Sequence, residues 1–387
     1  MTTIADLSPP PAGWPPARSL YLHVPFCRHR CGYCNFSVVA GRDDLVERFL
    51  MAIDRELEML GRPAIDTLFI GGGTPNRLSD DALRALLATL DRHLEIRPGA
   101  EWTLEANPEE ITETQVAILY DGGVNRVSLG VQSFRPDKLK RLERGHSPAI
   151  ALRAIETVSA RIGNVSLDLI FAAPGESPVG WRQDLNTARH SPITHLSAYA
   201  LTYEKGAAFW GRRRRGTLHA ADEALELEMF LATRDVLRDA GWEHYEVSNF
   251  ARDGQRCRHN EAYWQGQGWY AIGPGAAAFL EGRRTVNHRS TTTYLKRVES
   301  GQSPLAESEA ISAEQYAREV AAFGLRMLTG IDPDAFSRQT GFALETLPGD
   351  PLGWGIAQGL LTRESGRVRL TGRGLLFADS VAAQFLG

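Results

Sequence analysis

The sequence predicts an α/β protein: a partial parallel β/α barrel of about six strand-helix units, then a small C-terminal helical or winged-helix-like domain. Three observations predict it. Short β-branched or apolar runs alternate with amphipathic helical stretches at roughly the 30-residue spacing of a barrel repeat. Several helix starts carry a Ser or Thr cap, twice with proline next. The alternation stops near residue 205, where the pattern changes. An open doubly wound sheet is the other arrangement these units allow.

In chain order, a Pro-rich leader spans 1–18. Strands are expected at Ser19–Val24, Thr67–Ile70, Trp102–Ala106, Arg126–Gly130, Ser166–Ile170 and His195–Ala200, with helices at Asp43–Leu60, Asp80–Leu94 and Thr112–Tyr120 between them. Thr112 with Gln115 reads as a capping box, as does Ser312 with Gln315, while Ser147-Pro148 and Ser177-Pro178 place a cap before proline. The barrel is therefore assigned to 19–205. Residues 206–305 form an extension with a long helix, Asp222–Ala240, the strand-like "WEHYEVSNF" and the Gly-rich aromatic "YWQGQGWYAIGPGAAAF". The small terminal domain covers 306–387.

Composition narrows the function. At 387 residues with 43% hydrophobic and 23% charged side chains, the chain suits a globular protein with a large core. A formal charge of -4 argues against a general fit to nucleic acid, and the run "RRRR" at Arg212 to Arg215 reads as a solvated loop. No signal-peptide pattern and no long apolar span is seen, so a cytoplasmic location is expected. Four cysteines in so long a chain are no disulfide framework, and three of them are clustered.

Those three, Cys27, Cys31 and Cys34, lie in "YLHVPFCRHRCGYCNF" with C-x3-C-x2-C spacing, directly after the first strand. They therefore belong to the C-terminal mouth of the barrel, where such folds keep their chemistry. A structural zinc ion would need a fourth ligand, which His29 or His23 offers. A 4Fe-4S cluster held by three thiolates would instead keep one iron open for a small molecule.

The other strands also end in groups suited to a nucleotide. The second runs into "GGGTP" with Gly72, Gly73 and Thr74, the third reaches Glu105, the fourth Gln132, the fifth carries Asp168, and the sixth ends at Tyr199-Ala200. A lone polar residue at a strand end is usually a satisfied hydrogen-bonding group. Five consecutive strands with the same habit beside a cysteine loop point to a site.

The cysteine spacing, with Tyr33 before the last cysteine and "YLHVPFC" before the first, resembles the radical S-adenosylmethionine superfamily. Over essentially the whole chain, through "ERGHS" and into the terminal domain, the sequence is similar to its coproporphyrinogen dehydrogenase group. The resemblance implies a 4Fe-4S cluster on Cys27, Cys31 and Cys34, and cofactor contacts from Tyr21, Tyr33, Gly72, Gly73, Thr74, Glu105, Gln132, Arg144, Asp168 and Ala200. Within the group, "CRHNEAYW" (Cys257 to Trp264) resembles the H-N-x-x-Y-W motif of the haem-chaperone branch, HemW. Phe36 stands where the dehydrogenases have a further cysteine, only 20 residues precede Tyr21, and Asn35 replaces the aspartate usual in the chaperones.

That branch implies haem as a third ligand and an acceptor protein, membrane-associated acceptors included, to receive it. His259 is the expected axial ligand, Tyr263 and Trp264 the wall, Arg256 or Arg258 the propionate partner, and Cys257 an inert thiol. The alternative is oxygen-independent coproporphyrinogen III dehydrogenase or another radical reaction on a tetrapyrrole. Whether S-adenosylmethionine is cleaved, and the oligomeric state, are left open by the sequence.

Overall fold

Each of the six apolar runs forms a strand of one curved sheet. β1 (Ala17–Val24), β2 (Ala64–Gly72), β3 (Glu95–Ala106), β4 (Arg126–Gln132), β5 (Asn164–Phe171) and β6 (His195–Ala200) pair in parallel in sequence order. All six therefore point their C-terminal ends to the same mouth. The computed structural model describes residues 8–387, so residues 1–7 of the expected leader lie outside the described residues.

The helices between the strands cover the outer face: α1 (Val46–Glu58), α2 (Asp80–His93), α3 (Glu113–Asp121), α4 (Pro136–Arg141), α5 (Pro148–Ser159) and α6 (Pro178–His190). In α2 the buried residues Leu83, Leu86, Leu87 and Leu90 follow the i, i+3, i+4, i+7 spacing of one helix face. Each such leucine contributes about 1.5–3 kcal/mol through burial. Ser147 and Ser177 cap α5 and α6 ahead of prolines, and the Ser312-Gln315 capping box closes in both directions. At α3 only half of the expected box forms. Thr112 accepts from Gln115 N, but the Gln115 side chain donates to the Asn76 carbonyl at 2.9 Å.

Beyond β6, the chain enlarges the sheet from both edges. α7 (Ala208–Arg214) and α8 (Glu223–Asp239) lead to β7 (Glu243–Glu246) and β8 (Asn249–Ala251), with β8 antiparallel to β6. After α9 (Arg258–Trp264), β9 (Gly268–Ile272) returns to the opposite edge and pairs parallel with β1. β10 (Ala277–Leu280), β11 (Arg283–Asn287) and β12 (Leu305–Ala310) then add antiparallel strands. The result is a 12-stranded sheet, open at β12 and β7. Its parallel part thus gains a strand, β9, from the Gly-rich aromatic segment.

A second hydrophobic core, with Ile311, Tyr316, Ala317, Phe336, Leu352 and Phe385, joins the C-terminal helices and the hairpin Leu361–Glu364/Arg367–Leu370 to β10 through Phe279. Tyr316 stacks on Phe279 and donates to the Gly266 carbonyl at 2.9 Å. This packing presses the segment from α9 to β10 against the barrel mouth.

Candidate functional site

The cysteine loop leaves β1 and is braced before any ligand is considered. Phe26 and Cys27 pair with Val39 and Ala40, closing the loop at its base, and Cys34 N donates to Cys31 O. His23 Nε2 donates to Ser37 O at 2.8 Å while its Nδ1 accepts from Tyr21 at 3.0 Å, which fixes the tautomer. Both nitrogens of His23 are therefore engaged, and His29 Nε2 donates to the Glu143 carbonyl at 2.6 Å. His23 therefore offers no nitrogen as the fourth ligand of a zinc ion.

Cys27, Cys31 and Cys34 are free, half-buried thiols. Burial pushes the Cys27 thiol up to about 11 and raises that of Cys34. Among the described residues, no three His, Cys, Asp or Glu side chains converge on a single-ion position. Thiolates that each bind a different iron of a cluster have no need to converge on one point.

A hydrogen-bonded belt runs behind the loop. Asn107 Nδ2 donates to Thr74 Oγ1 at 3.0 Å, which frees the Thr74 hydroxyl to donate to Cys27 Sγ at 3.4 Å. Arg144 Nη2 donates to Asn107 Oδ1 at 2.6 Å, and its Nη1 lies 3.8 Å from Cys31 Sγ. Thr74 and Arg144 thus each present a donor to a cysteine sulfur, an arrangement that suits cluster-ligating thiolates. Gly73 N donates to Val24 O and Thr74 N to Phe26 O, so "GGGTP" backs the loop.

In front of the loop lies a cavity of about 1240 Å³. Tyr21, Tyr33, Gly72, Glu105, Gln132, Asp168 and Ala200 line it, whereas Gly73, Thr74 and Arg144, expected to contact the same cofactor, stand behind the cysteines. Gly72 has φ 102°, and a Cβ there would meet the His23 ring at 2.3 Å. Gln132 holds φ 64° where the β4 to β5 register shifts, a conformation costing about 1 kcal/mol or more that aims its side chain at the mouth. Tyr199, also on the cavity, is 41% exposed.

Two carboxyls face this space. Glu105 accepts from Gly72 N at 2.8 Å, yet burial, with the charge of Asp168, raises it to about 7. Burial also raises Asp168, which Ser197, Arg126 and Ser128 counter. Together the two carboxyls present acceptor oxygens to the cavity, a candidate receptor for a cation or for hydroxyl groups. Arg126, 2% exposed at the floor, has no partner for its Nε among the described residues.

The other wall is α9. Glu101 accepts from Arg258 N at 2.9 Å and His259 N at 3.1 Å, which fixes the start of the helix. His259 Nδ1 is 2.8 Å from Thr67 Oγ1, which itself donates to Ser19, and Nε2 is 2.7 Å from the Tyr263 hydroxyl. As folded, both ring nitrogens of His259, the expected axial ligand, are engaged by hydroxyls. Burial lowers it to about 3, so it is neutral. Tyr263 and Trp264 line the cavity. Arg256 pairs with Glu243 and Glu261 and Arg258 binds the Gly99 carbonyl, so neither faces the cavity as a propionate partner would. The Cys257 thiol, 1% exposed and raised by burial to about 12, lies 3.8 Å from Glu101 Oε1.

Sequence reasoning missed Asn107, Thr67 and Phe209. Asn107 follows Glu105 in "LEANP", and that position was the available signal. The expected "RRRR" loop is a helical end: α7 includes Arg212 to Arg214, and Phe209 packs on Gly32 of the cysteine loop.

Comparison with known proteins matches residues 21–188 to the Radical SAM superfamily and residues 311–377 to the HemN C-terminal domain. The chain is 32% identical over 379 residues to heme chaperone HemW of Bacillus subtilis, covering 96% of this chain and 99% of that protein. It is 36% identical over 376 residues to heme chaperone HemW of Mycobacterium tuberculosis, with 95% and 94% covered. Among solved structures, coproporphyrinogen III oxidase HemN of Escherichia coli superimposes with a TM-score of 0.83 at 20% identity, over 96% of this chain and 90% of that one.

Proposed function

This chain belongs to the radical SAM superfamily and within it to the HemW family, and from that premise we propose that it is a haem chaperone. It binds haem, carries a 4Fe-4S cluster and S-adenosylmethionine at the barrel mouth, and passes haem to an acceptor protein. The observation that carries this reading is that the cysteine loop, the two carboxyls and the aromatic side of α9 border one cavity. At about 1240 Å³, it exceeds the roughly 300–1,000 Å³ of ordinary single-ligand sites.

Cys27, Cys31 and Cys34 would hold three irons, with Thr74 and Arg144 donating to two of the sulfurs. When bound, the cluster supplies an electron and an open iron that receives the methionyl amine and carboxylate of S-adenosylmethionine. Glu105 and Asp168 supply negative charge opposite its cationic groups, Gly72 leaves backbone accessible, and Tyr33 closes the cysteine side. Tyr263 and Trp264 give the porphyrin an aromatic wall, and His259 positions the Tyr263 hydroxyl. Phe36, 62% exposed at the mouth, adds apolar surface in place of the dehydrogenases' further cysteine.

Among the described residues, no helix is long and apolar enough to cross a membrane. Delivery to a membrane-associated acceptor would therefore take place by docking. Anaerobic absorption titration with haem tests the reading: saturation near one haem per chain, weakened in Trp264→Ala, is expected. Absence of saturable binding, or porphyrin formation from coproporphyrinogen, would replace it with the enzymatic alternative.

A further inference from the structure

With Arg256 and Arg258 turned away from the cavity, the carboxylates of a bound porphyrin need another partner. Among the described residues, the arginines and lysines that line the cavity are Arg126, Arg284 and Arg289. The histidines on its wall, His23 and His259, are kept neutral by burial. Arg284 is already matched by Glu309 at 3.3 Å and Glu319 at 2.6 Å. Arg126 lies at the floor within the field of Glu101 and Asp168, so a carboxylate brought there would be fully desolvated beside two others.

Arg289 differs from both. It stands on the rim, in the turn between β11 and α10 (Thr291–Glu299). The base of this turn is fixed: Asn287, 3% exposed, donates to Glu56 at 2.7 Å and to the Gly273 carbonyl at 3.0 Å, and Ser290 caps α10. Arg289 Nη2 donates to the Asn35 carbonyl at 2.5 Å, and the Arg289 carbonyl accepts from Ser37 Oγ. A Cβ on Gly275 would come within 3.5 Å of Arg289 Cγ, so the bare glycine lets the arginine stem lie along the rim. Among the described residues, the partner of this guanidinium is a carbonyl, and no carboxylate pairs with it. Its remaining N–H groups are held in place and open to a guest.

We infer that Arg289 takes a propionate of haem, so that the porphyrin enters with its carboxylate edge at the rim and its apolar edge toward Tyr263 and Trp264. The inference deepens, and rests on, the reading that this cavity receives haem. Both propionates leave the same edge of the macrocycle, so one fixed guanidinium at the mouth is enough to choose which edge enters. A guanidinium pairs with a carboxylate through two parallel N–H bonds, whereas an ammonium acts as a point charge.

The test uses the full chain, anaerobically reconstituted, and absorption titrations with haem and with haem dimethyl ester, whose propionates carry no charge. Wild type is compared with Arg289→Gln and Arg289→Lys. Haem affinity should fall about tenfold or more in the glutamine variant and less in the lysine variant. Affinity for the dimethyl ester should be equal in wild type and the glutamine variant. S-adenosylmethionine affinity, read by equilibrium dialysis, should be the same in all three proteins. Equal haem affinity in wild type and Arg289→Gln would overturn the inference, as would an equal loss with the dimethyl ester. Weakened S-adenosylmethionine binding with haem affinity unchanged would overturn it too, by giving Arg289 to the methionyl carboxylate. Failure of the haem reading itself looks different: wild type then shows no saturable haem binding.

Discussion

Asn107 Oδ1 accepts a 2.6 Å hydrogen bond from Arg144 Nη2, and through this pair the thiols of Cys27 and Cys31 are connected by one polar belt. Asn107→Ala would remove the acceptor of a guanidinium only 7% exposed and the donor to Thr74. A loss of about 1–3 kcal/mol in denaturant unfolding is expected, together with a shifted midpoint potential of the reconstituted cluster. Unchanged stability and potential would remove the belt from the account.

The same loop predicts a clean metal analysis. Wild type reconstituted anaerobically should hold about four iron and four acid-labile sulfide per chain. Cys27→Ser, Cys31→Ser and Cys34→Ser should each lose most of both, and Cys257→Ser should keep them. Zinc in place of iron, or full iron in Cys31→Ser, would contradict the assignment.

Glu105 connects pH to both stability and cofactor affinity. Its folded value of about 7 lies above the ordinary 4.5, with burial as the first cause and Asp168 as the second. A raised folded value contributes stability that is full below pH 4.5 and is lost as pH rises through about 7. That contribution is on the order of 3 kcal/mol. Glu105→Gln should flatten this decline in pH-dependent unfolding. Because ionised Glu105 faces the cationic cofactor, wild type should bind S-adenosylmethionine more tightly above pH 7 than below it, and the glutamine variant should lose that dependence.

His259 predicts a separation of two effects. Its ring joins Thr67 to Tyr263, so His259→Ala would remove the partner of the Tyr263 hydroxyl and leave Thr67 bonded to Ser19 alone, and should cost about 1–3 kcal/mol. Haem affinity should fall while the shape and position of the Soret band stay the same. A changed axial-ligand spectrum would return His259 to the iron. Burial lowers His259 to about 3, so the neutral ring contributes stability above pH 6.5 that is lost as pH falls toward 3. The variant should show a shallower acid transition over that window.

The barrel strands and their mouth residues were legible because their signals are local: apolar runs at strand spacing, caps followed by proline, and a polar residue at each strand end. β9 was not, because its five residues lie between glycines and its partner, β1, is about 250 positions earlier in the chain. The role of His259 was hidden for the same reason, since Thr67, which occupies its Nδ1, lies 192 residues away. Four adjacent arginines read as a loop because their like charges suggest solvent. Phe209, Tyr203 and Trp210 supply the rings that hold Arg212, Arg213 and Arg214, and their contacts arise only in the fold.

If one cavity receives both S-adenosylmethionine on a cluster and haem, an iron anomalous-scattering map from crystals grown anaerobically with both ligands shows it most directly. A cluster peak is expected at Cys27, Cys31 and Cys34 and a separate single-iron peak in the cavity beside Tyr263 and Trp264. A haem iron outside that cavity, or no iron at the three cysteines, would contradict it.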